Sequence, residues 1–378
     1  MLPNQSPFAH HLPKLALLAM VCFAAYGLFA DELSPAARSH LVLALGVLPL
    51  ILANILSFSA TLLRTSQPSG RAWFWPVLSF IAGLILVAAL SYDPRYALIS
   101  VVLGFIAVGG VWQWIQRAKK KSLGSPHPGV RWYEGALLSL AFGLIAMGVG
   151  LVWDDLWIPL RSIHLHLNLM GFVALTAVGT LQVLIPTVAN FHDEKVMERL
   201  ARHWPYALGG TFASALGAAG WHIFNILGLI LWLVPLLPWT GKLWQVRIKL
   251  LERGGAMWPL MAALFGFWVM MFSGLLIVAG WMSPENTLPL FFIGFVFPLV
   301  MGALTHLLPM WWWPGLETPL RSQARDAMEV GSPGRALLLV ICGIGAIWAM
   351  PWAAPLATAA ILQFLIQVVI IRKKTPVM

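Results

Sequence analysis

The sequence predicts an all-α membrane protein of twelve transmembrane helices, built as three repeated four-helix units. Three observations predict it. Of 378 residues, 60% are hydrophobic and only 10% charged, with a mean hydropathy of +0.81. A soluble domain carries about a quarter charged residues, so a large soluble enzyme is excluded. Apolar runs long enough to cross a bilayer, about 20 residues each, recur between charged and Pro/Gly breaks. Finally, the basic residues collect at alternate breaks.

Taken in order, the runs lie near 13–31, 39–63, 73–92, 96–116, 133–153, 161–188, 205–221, 222–240, 256–281, 286–313, 335–350 and 352–371. The first resembles a signal peptide in length, but no clear cleavage site follows it and it is expected to stay as an anchor. The seventh and eighth are short and meet at Trp221-His222. Trp73, Trp75, Trp153, Trp157, Trp204, Trp239, Trp281 and Trp311 fall at the depths of an interfacial aromatic belt.

Orientation follows from charge. With the N-terminus in the cytoplasm, only Arg38, Arg95 and Arg161 of the 24 lysines and arginines fall outside, where Asp31, Glu32, Asp93, Asp154, Asp155 and Glu285 collect. The positive-inside rule therefore places both termini in the cytoplasm, with a bacterial-type inner (plasma) membrane as the expected location. The formal net charge of +10 is thus an orientation signal and an attraction to anionic lipid. Nucleic acid is not an expected partner, because no soluble stretch is long enough to fold into a basic face. Cys22 and Cys342 both lie inside apolar runs, which excludes a disulfide framework and a cysteine metal site.

The sixth span reads HLHLNLMGFVALTAVGTLQVLIP and the tenth TLPLFFIGFVFPLVMGALTHLLP. A gapless shift of 123 residues pairs Gly171 with Gly294, Gly179 with Gly302 and Pro186 with Pro309, and in the preceding spans Gly143 with Gly266. A fainter third copy places Arg38-Ser39 on Arg161-Ser162 and, after one residue of slippage, His40 on His164. The expectation is a single integral membrane domain, 1–378, of internal repeats at approximately 1–130, 131–254 and 255–378. Repeats in membrane proteins often meet at the working site, which points to the second, sixth and tenth spans.

Four of the ten histidines, His40, His164, His166 and His222, fall at outer ends of spans. His10 and His11 precede the first span. His127, His192 and His203 are expected to be solvated in inner loops, and His306 to take an interfacial hydrogen bond beside Trp311-Trp312-Trp313. Ionisable residues within spans are costly and tend to mark function, and imidazole ligates haem iron, copper and zinc. Residues i and i+2 of a helix point about 200° apart, so His164 and His166 cannot easily hold one ion together. Asn54, Asn168, Asn225, Gln182 and Thr305 read as interhelical hydrogen-bonding groups. No acid or lysine lies mid-span, and no phosphate loop, nucleophile elbow, HExxH or paired carboxylate occurs, which removes hydrolytic and ATP-driven readings.

The H-x-H followed by glycines and a terminal proline (His164, His166, Gly171, Gly179 and Pro186) resembles the haem-bearing helix of haem–copper oxidase subunit I, in its C-type oxidase and nitric-oxide reductase versions. Chain size, span count and the histidine entering the second span also resemble the NnrS family of haem- and copper-containing membrane proteins implicated in nitric-oxide responses. The motif-level likeness covers the second, sixth and tenth spans, about a fifth of the chain; the remainder matches in hydropathy and length alone.

The resemblance implies three pseudo-symmetric four-helix arcs and a haem-binding protein working in electron transfer or in nitric-oxide and respiratory metabolism. It implies haem b with His40 and His166 as axial ligands, His164 facing a second haem or copper, and a redox partner protein or a quinol as electron donor. Arg38 and Arg161, beside His40 and His164, would meet the haem propionates through bidentate pairing; ordinary snorkelling is the alternative. The departures are specific. The family carries its double-histidine helix in the third arc, where this chain has Thr287 and Pro289. The three-histidine copper half of an oxidase centre is not evident, and His222 could add one ligand at most. Two other readings stand beside this one: a copper-handling protein using His40, His164, His166 and His222 without redox turnover, and a transporter using histidines as pH-sensitive gates.

Overall fold

The computed structural model describes residues 7–374. Among them there is no strand, and 84% of the chain is helical. Twelve helices stand opposite the twelve expected runs: α1 Ala9–Leu28, α2 Pro35–Leu62, α3 Gly70–Tyr92, α4 Pro94–Lys120, α5 Gly129–Gly150, α6 Asp154–Ala189, α7 Val196–Ala218, α8 Ile223–Gln245, α9 Met257–Val278, α10 Pro284–Trp312, α11 Ser332–Ile347 and α12 Ala353–Lys374. Ten are long and apolar enough to cross a membrane. An eleventh forms if α11 is joined to the short helix Pro319–Glu329 across a 40° bend. The exception is α7, whose first turns carry Glu198, Arg199 and Arg202. The chain is an all-helical, multi-pass membrane protein.

Local chemistry fixes where several helices begin. Ser34 precedes Pro35 and its Oγ accepts from Ala37 N at 3.2 Å. Asp93 precedes Pro94 and accepts from Arg95 N at 3.0 Å. Thr318 precedes Pro319 and accepts from Arg321 N at 3.3 Å. In each case a polar N-cap satisfies an orphan amide and proline supplies helical φ without needing a donor. The side chains left exposed along α4, α8 and α12 include Phe105, Ile106, Ile230 and Ile366, a surface suited to lipid. The belt residues divide: Trp153 and Trp281 are exposed as expected, whereas Trp239 is fully buried in α8.

The chain separates into two compact units, one of residues 9–46 with 247–378, the other essentially 47–246. Helix α2 is divided between them at Gly46–Val47. In the first unit α9 packs on α10 and α11, and α1 on α12 and α10. Its core is phenyl-rich: Phe267 lies 4.9 Å from Phe295, and Phe23 4.9 Å from Phe297. In the second unit α5 packs on α6, and α7 with α8 forms a tight hairpin. Gly210 and Gly217 of α7 leave room only for the facing helix: a Cβ at 210 would sit 3.0 Å from Gly228 O, and one at 217 would overlap Asn225. Small residues allow such close approach where no hydrophobic force drives helices together.

Three helices leave α geometry. π-helical segments span Leu41–Val47 in α2, Leu167–Leu175 in α6 and Phe291–Val296 in α10. These are the three spans singled out by the repeat, and each segment contains one glycine: Gly46, Gly171 and Gly294. π segments within α-helices occur frequently at functional sites.

Candidate functional site

The histidines at the helix entries share one device. His40 ends the α-helical entry turn of α2, and its Nδ1 lies 2.8 Å from the carbonyl oxygen of Ala36, four residues back. His166 ends the corresponding stretch of α6, with Nδ1 2.9 Å from Ser162 O, again four back. His164 Nδ1 instead crosses to α5 and meets Gly143 O at 2.9 Å. A carbonyl can only accept, so each Nδ1 donates and each neutral ring carries its lone pair on Nε2. That tautomer is the one a metal ligand needs, with the other ring nitrogen fixed by a hydrogen bond. All three side chains are half-buried.

His164 and His166 are directed differently, as their spacing requires: one ties α6 to α5, the other folds back on its own helix. Asn168, one turn on, donates from Nδ2 to His164 O at 2.7 Å. That carbonyl also accepts from the backbone N–H of Leu167, where the π segment begins. The absence of a side chain at Gly143 makes room, since a Cβ there would lie 2.9 Å from Asn168 Nδ2. Sequence reading placed Asn168 among interhelical hydrogen-bonding groups; its bond is to its own helix.

The remaining candidates separate. His40 belongs to the first unit and His164, His166 and His222 to the second. His222 is exposed at the turn before α8 and makes no capping bond. Among the described residues no group of three or more His, Cys, Asp or Glu side chains is placed to hold a metal ion. Arg161 is exposed. Arg38 is occupied within its unit: NH1 donates to Ala30 O at 3.1 Å and the guanidinium lies 5.0 Å from the centre of the Tyr26 ring.

Two expected solvated histidines are not solvated. His203 is 8% exposed, with its Nδ1 buried and unpaired. Half-buried His127 accepts from Gly129 N at 3.0 Å, and burial, then the charge of Arg64, lowers its pKa. Sequence reading also missed a buried cluster just past α6: Arg199 donates from NH2 to Asp193 at 2.7 Å and from Nε to Gln182 at 2.7 Å. The signal was available as an acid and an arginine flanking the start of α7, but Gln182 joins them only in three dimensions.

No family model and no curated protein sequence matches this chain.

Proposed function

We propose that this chain is a haem-binding membrane protein acting in electron transfer or in nitric-oxide and respiratory metabolism. In this reading it has twelve spans in three four-helix arcs, both termini in the cytoplasm, and lies in a bacterial-type inner membrane. The observation that carries the reading is the anchoring of His166 on Ser162 O, which leaves Nε2 as the basic nitrogen of a ring held at the entry of an otherwise apolar helix. His40 repeats the arrangement on Ala36 O. The donor chemistry fits haem iron, which takes imidazole through one nitrogen while the other is hydrogen-bonded.

Bound there, haem would supply a one-electron couple whose potential follows its axial ligands and its burial. The protein's part is to fix ring orientation through the two backbone carbonyls and to set imidazole basicity. Arg161, which is exposed, and Arg38, whose Nε has no partner although NH1 is bonded to Ala30 O, are the residues that would pair with the propionates. His164 acts as a tie between α5 and α6. The electron donor is a redox partner protein or a quinol. Copper is the weaker assignment, because no three-ligand group supports it among the described residues.

The test is optical. Full-length protein made with ample haem is expected to show a low-spin b-type band in the reduced-minus-oxidised spectrum. The band is expected to vanish in His166→Ala and His40→Ala and to survive in His164→Ala. A wild-type protein that carries copper and no haem would overturn the reading in favour of copper handling.

A further inference from the structure

We propose that the groove along α12 binds one phospholipid with an anionic headgroup, its acyl chain lying on Leu362, Ile366 and Ile370 and its phosphate beside Gln363, Gln367 and Arg335. The groove is an open trough of about 520 Å³ on the face of α12 from Ala359 to Ile371, and Arg335 lies behind it, reached through Gln363 and Gln367. At 1.5 Å per residue the trough covers about 18 Å of helix, a length suited to an acyl chain.

The polar wall is what selects the occupant. Arg335 of α11 is 6% exposed. Its NH1 donates to Val330 O at 3.0 Å, Gln363 Oε1 at 2.8 Å and Gln367 Oε1 at 2.7 Å, and NH2 donates to Met328 O at 3.0 Å. Its Nε is buried with no partner. Among the described residues no carboxylate pairs with it; its acceptors are neutral oxygens and the Phe364 ring, whose centre lies 5.4 Å from the guanidinium carbon, so no full counter-charge is present. A buried cation without a counter-charge is costly in an apolar surrounding, and an anion from outside the chain would relieve it.

Gln363 adds a donor. Its oxygen is turned to Arg335, leaving the amide N–H groups on an exposed residue of the groove wall, with no acceptor among the described residues. An unsatisfied donor facing hydrocarbon is expensive; a lipid phosphate or ester oxygen satisfies it. Arg372, Lys373 and Lys374 end the same helix, and Arg372 lies 5.7 Å over the Trp312 ring. Basic residues at this helix end, about three turns beyond Gln363, draw anionic headgroups to the same side of the membrane. Free phosphate has no use for the isoleucine wall, so the lipid is the occupant the lining fits.

Native mass spectrometry of the detergent-purified full chain, titrated with phosphatidylglycerol or phosphatidylcholine, tests this. Phosphatidylglycerol is expected to bind one per chain with a preference of about tenfold, the scale of one well-placed charge contact. Gln363→Leu should weaken it several-fold. Ile366→Trp, which fills the groove at an exposed position without changing charge, should displace it. Arg335→Gln should remove the preference for charge. Should Arg335→Gln fail to fold, the two surface variants still decide. Equal retention of both lipids, or undiminished phosphatidylglycerol binding in Ile366→Trp, would overturn the proposal, as would competition by glycerol phosphate alone.

Discussion

The helix pair α5–α6 and the helix pair α9–α10 are related by the 123-residue shift, yet they treat the same point of contact in opposite ways. In both, a short 3-10 turn leads into an α-helical stretch, a π segment and a second stretch with proline near its end, at Pro186 and Pro309. In α9–α10 the glycines meet: a Cβ on Gly266 would overlap the carbonyl of Gly294, and one on Gly343 of α11 would come within 2.8 Å of Gly294 Cα. In α5–α6 the equivalent Gly143 faces Asn168 and the carbonyl of His164 instead. One seam is closed backbone to backbone and sealed by Phe291, Phe292 and Phe295, all fully buried. The other places an imidazole and an amide beside its glycine, Gly143. The scaffold is shared, and in α5–α6 the close approach moves to Gly171, where a Cβ would overlap Ser139 Cβ, while polar side chains take the place beside Gly143.

The closed seam is the easiest to break. Gly266→Leu would drive a side chain into the backbone of α10, where no rotamer change relieves it, and overpacking of this kind costs upward of about 3 kcal/mol. The expected outcome is loss of monodisperse protein on size exclusion. Gly143→Ala meets only the movable end of Asn168 and should lower the detergent melting temperature without abolishing folding. Equal tolerance at both positions would show that the two seams do not differ as described.

A second contrast lies just beyond these pairs. After α6, Arg199 and Asp193 form an ion pair with side chains 7% and 5% exposed. After α10, Arg321 and Arg325 reach Glu317 at 3.3 and 3.2 Å, but Glu317 is 48% exposed. Removing one partner of a buried pair leaves an uncompensated charge and costs about 3–5 kcal/mol, whereas exposed pairs are worth about 0–1 kcal/mol. Arg199→Met is therefore expected to destabilise severely and Glu317→Gln barely, read as midpoints of thermal unfolding in one detergent. Similar midpoints would mean that water reaches Asp193.

What could be read in advance follows from the range over which each feature is determined. The helices were legible because hydropathy is local and additive, and the twelve runs find their helices within a few residues at most ends. The largest disagreement is α7, which begins at Val196 rather than 205 because charged residues are good helix formers outside a bilayer. The anchoring of His40 and His166 uses a carbonyl four residues back, also a local relation. The π segments carried no visible mark beyond a glycine apiece. The glutamine partners of Arg335, 28 and 32 residues away on a different helix, depend on packing that no single-span pattern contains.

The role of His164 sharpens the first comparison on a smaller scale. Its bond to Gly143 O is the polar counterpart of the glycine contact in α9–α10, and Thr287 holds the matching position there. A net hydrogen bond of this type contributes about 1 kcal/mol. His164→Ala should cost roughly that much and leave spectral properties assigned to His166 unchanged. A double substitution with Asn168→Leu should be less than additive, since the two side chains lie 3.3 Å apart and fill one gap beside Gly143.

The weakest expected effect separates the starts of the two pairs by pH. Helix α5 begins where Gly129 N donates to His127 Nδ1. Helix α9 begins after Gly254 and Gly255, both at positive φ, with Ser332 Oγ donating to Gly255 O at 2.6 Å, and the titrating group packed there is the carboxyl of Glu329, whose pKa burial raises. The bond to His127 requires an unprotonated Nδ1, and burial lowers the pKa of the folded ring from its ordinary 6.5. The folded state therefore binds the proton less readily than the unfolded one. The contribution is complete above about pH 6.5 and declines as pH falls below it toward the lowered folded value. With the ring only half-buried, the amplitude should stay under about 1 kcal/mol. Amide exchange at residues 129–132 is expected to accelerate between neutral and mildly acidic pH, beyond the intrinsic pH dependence of exchange, while residues 257–260 show no such change once Glu329→Gln has removed the carboxyl beside Gly255. His127→Asn should flatten the first response, and a parallel response at both sites would assign the effect to something other than His127.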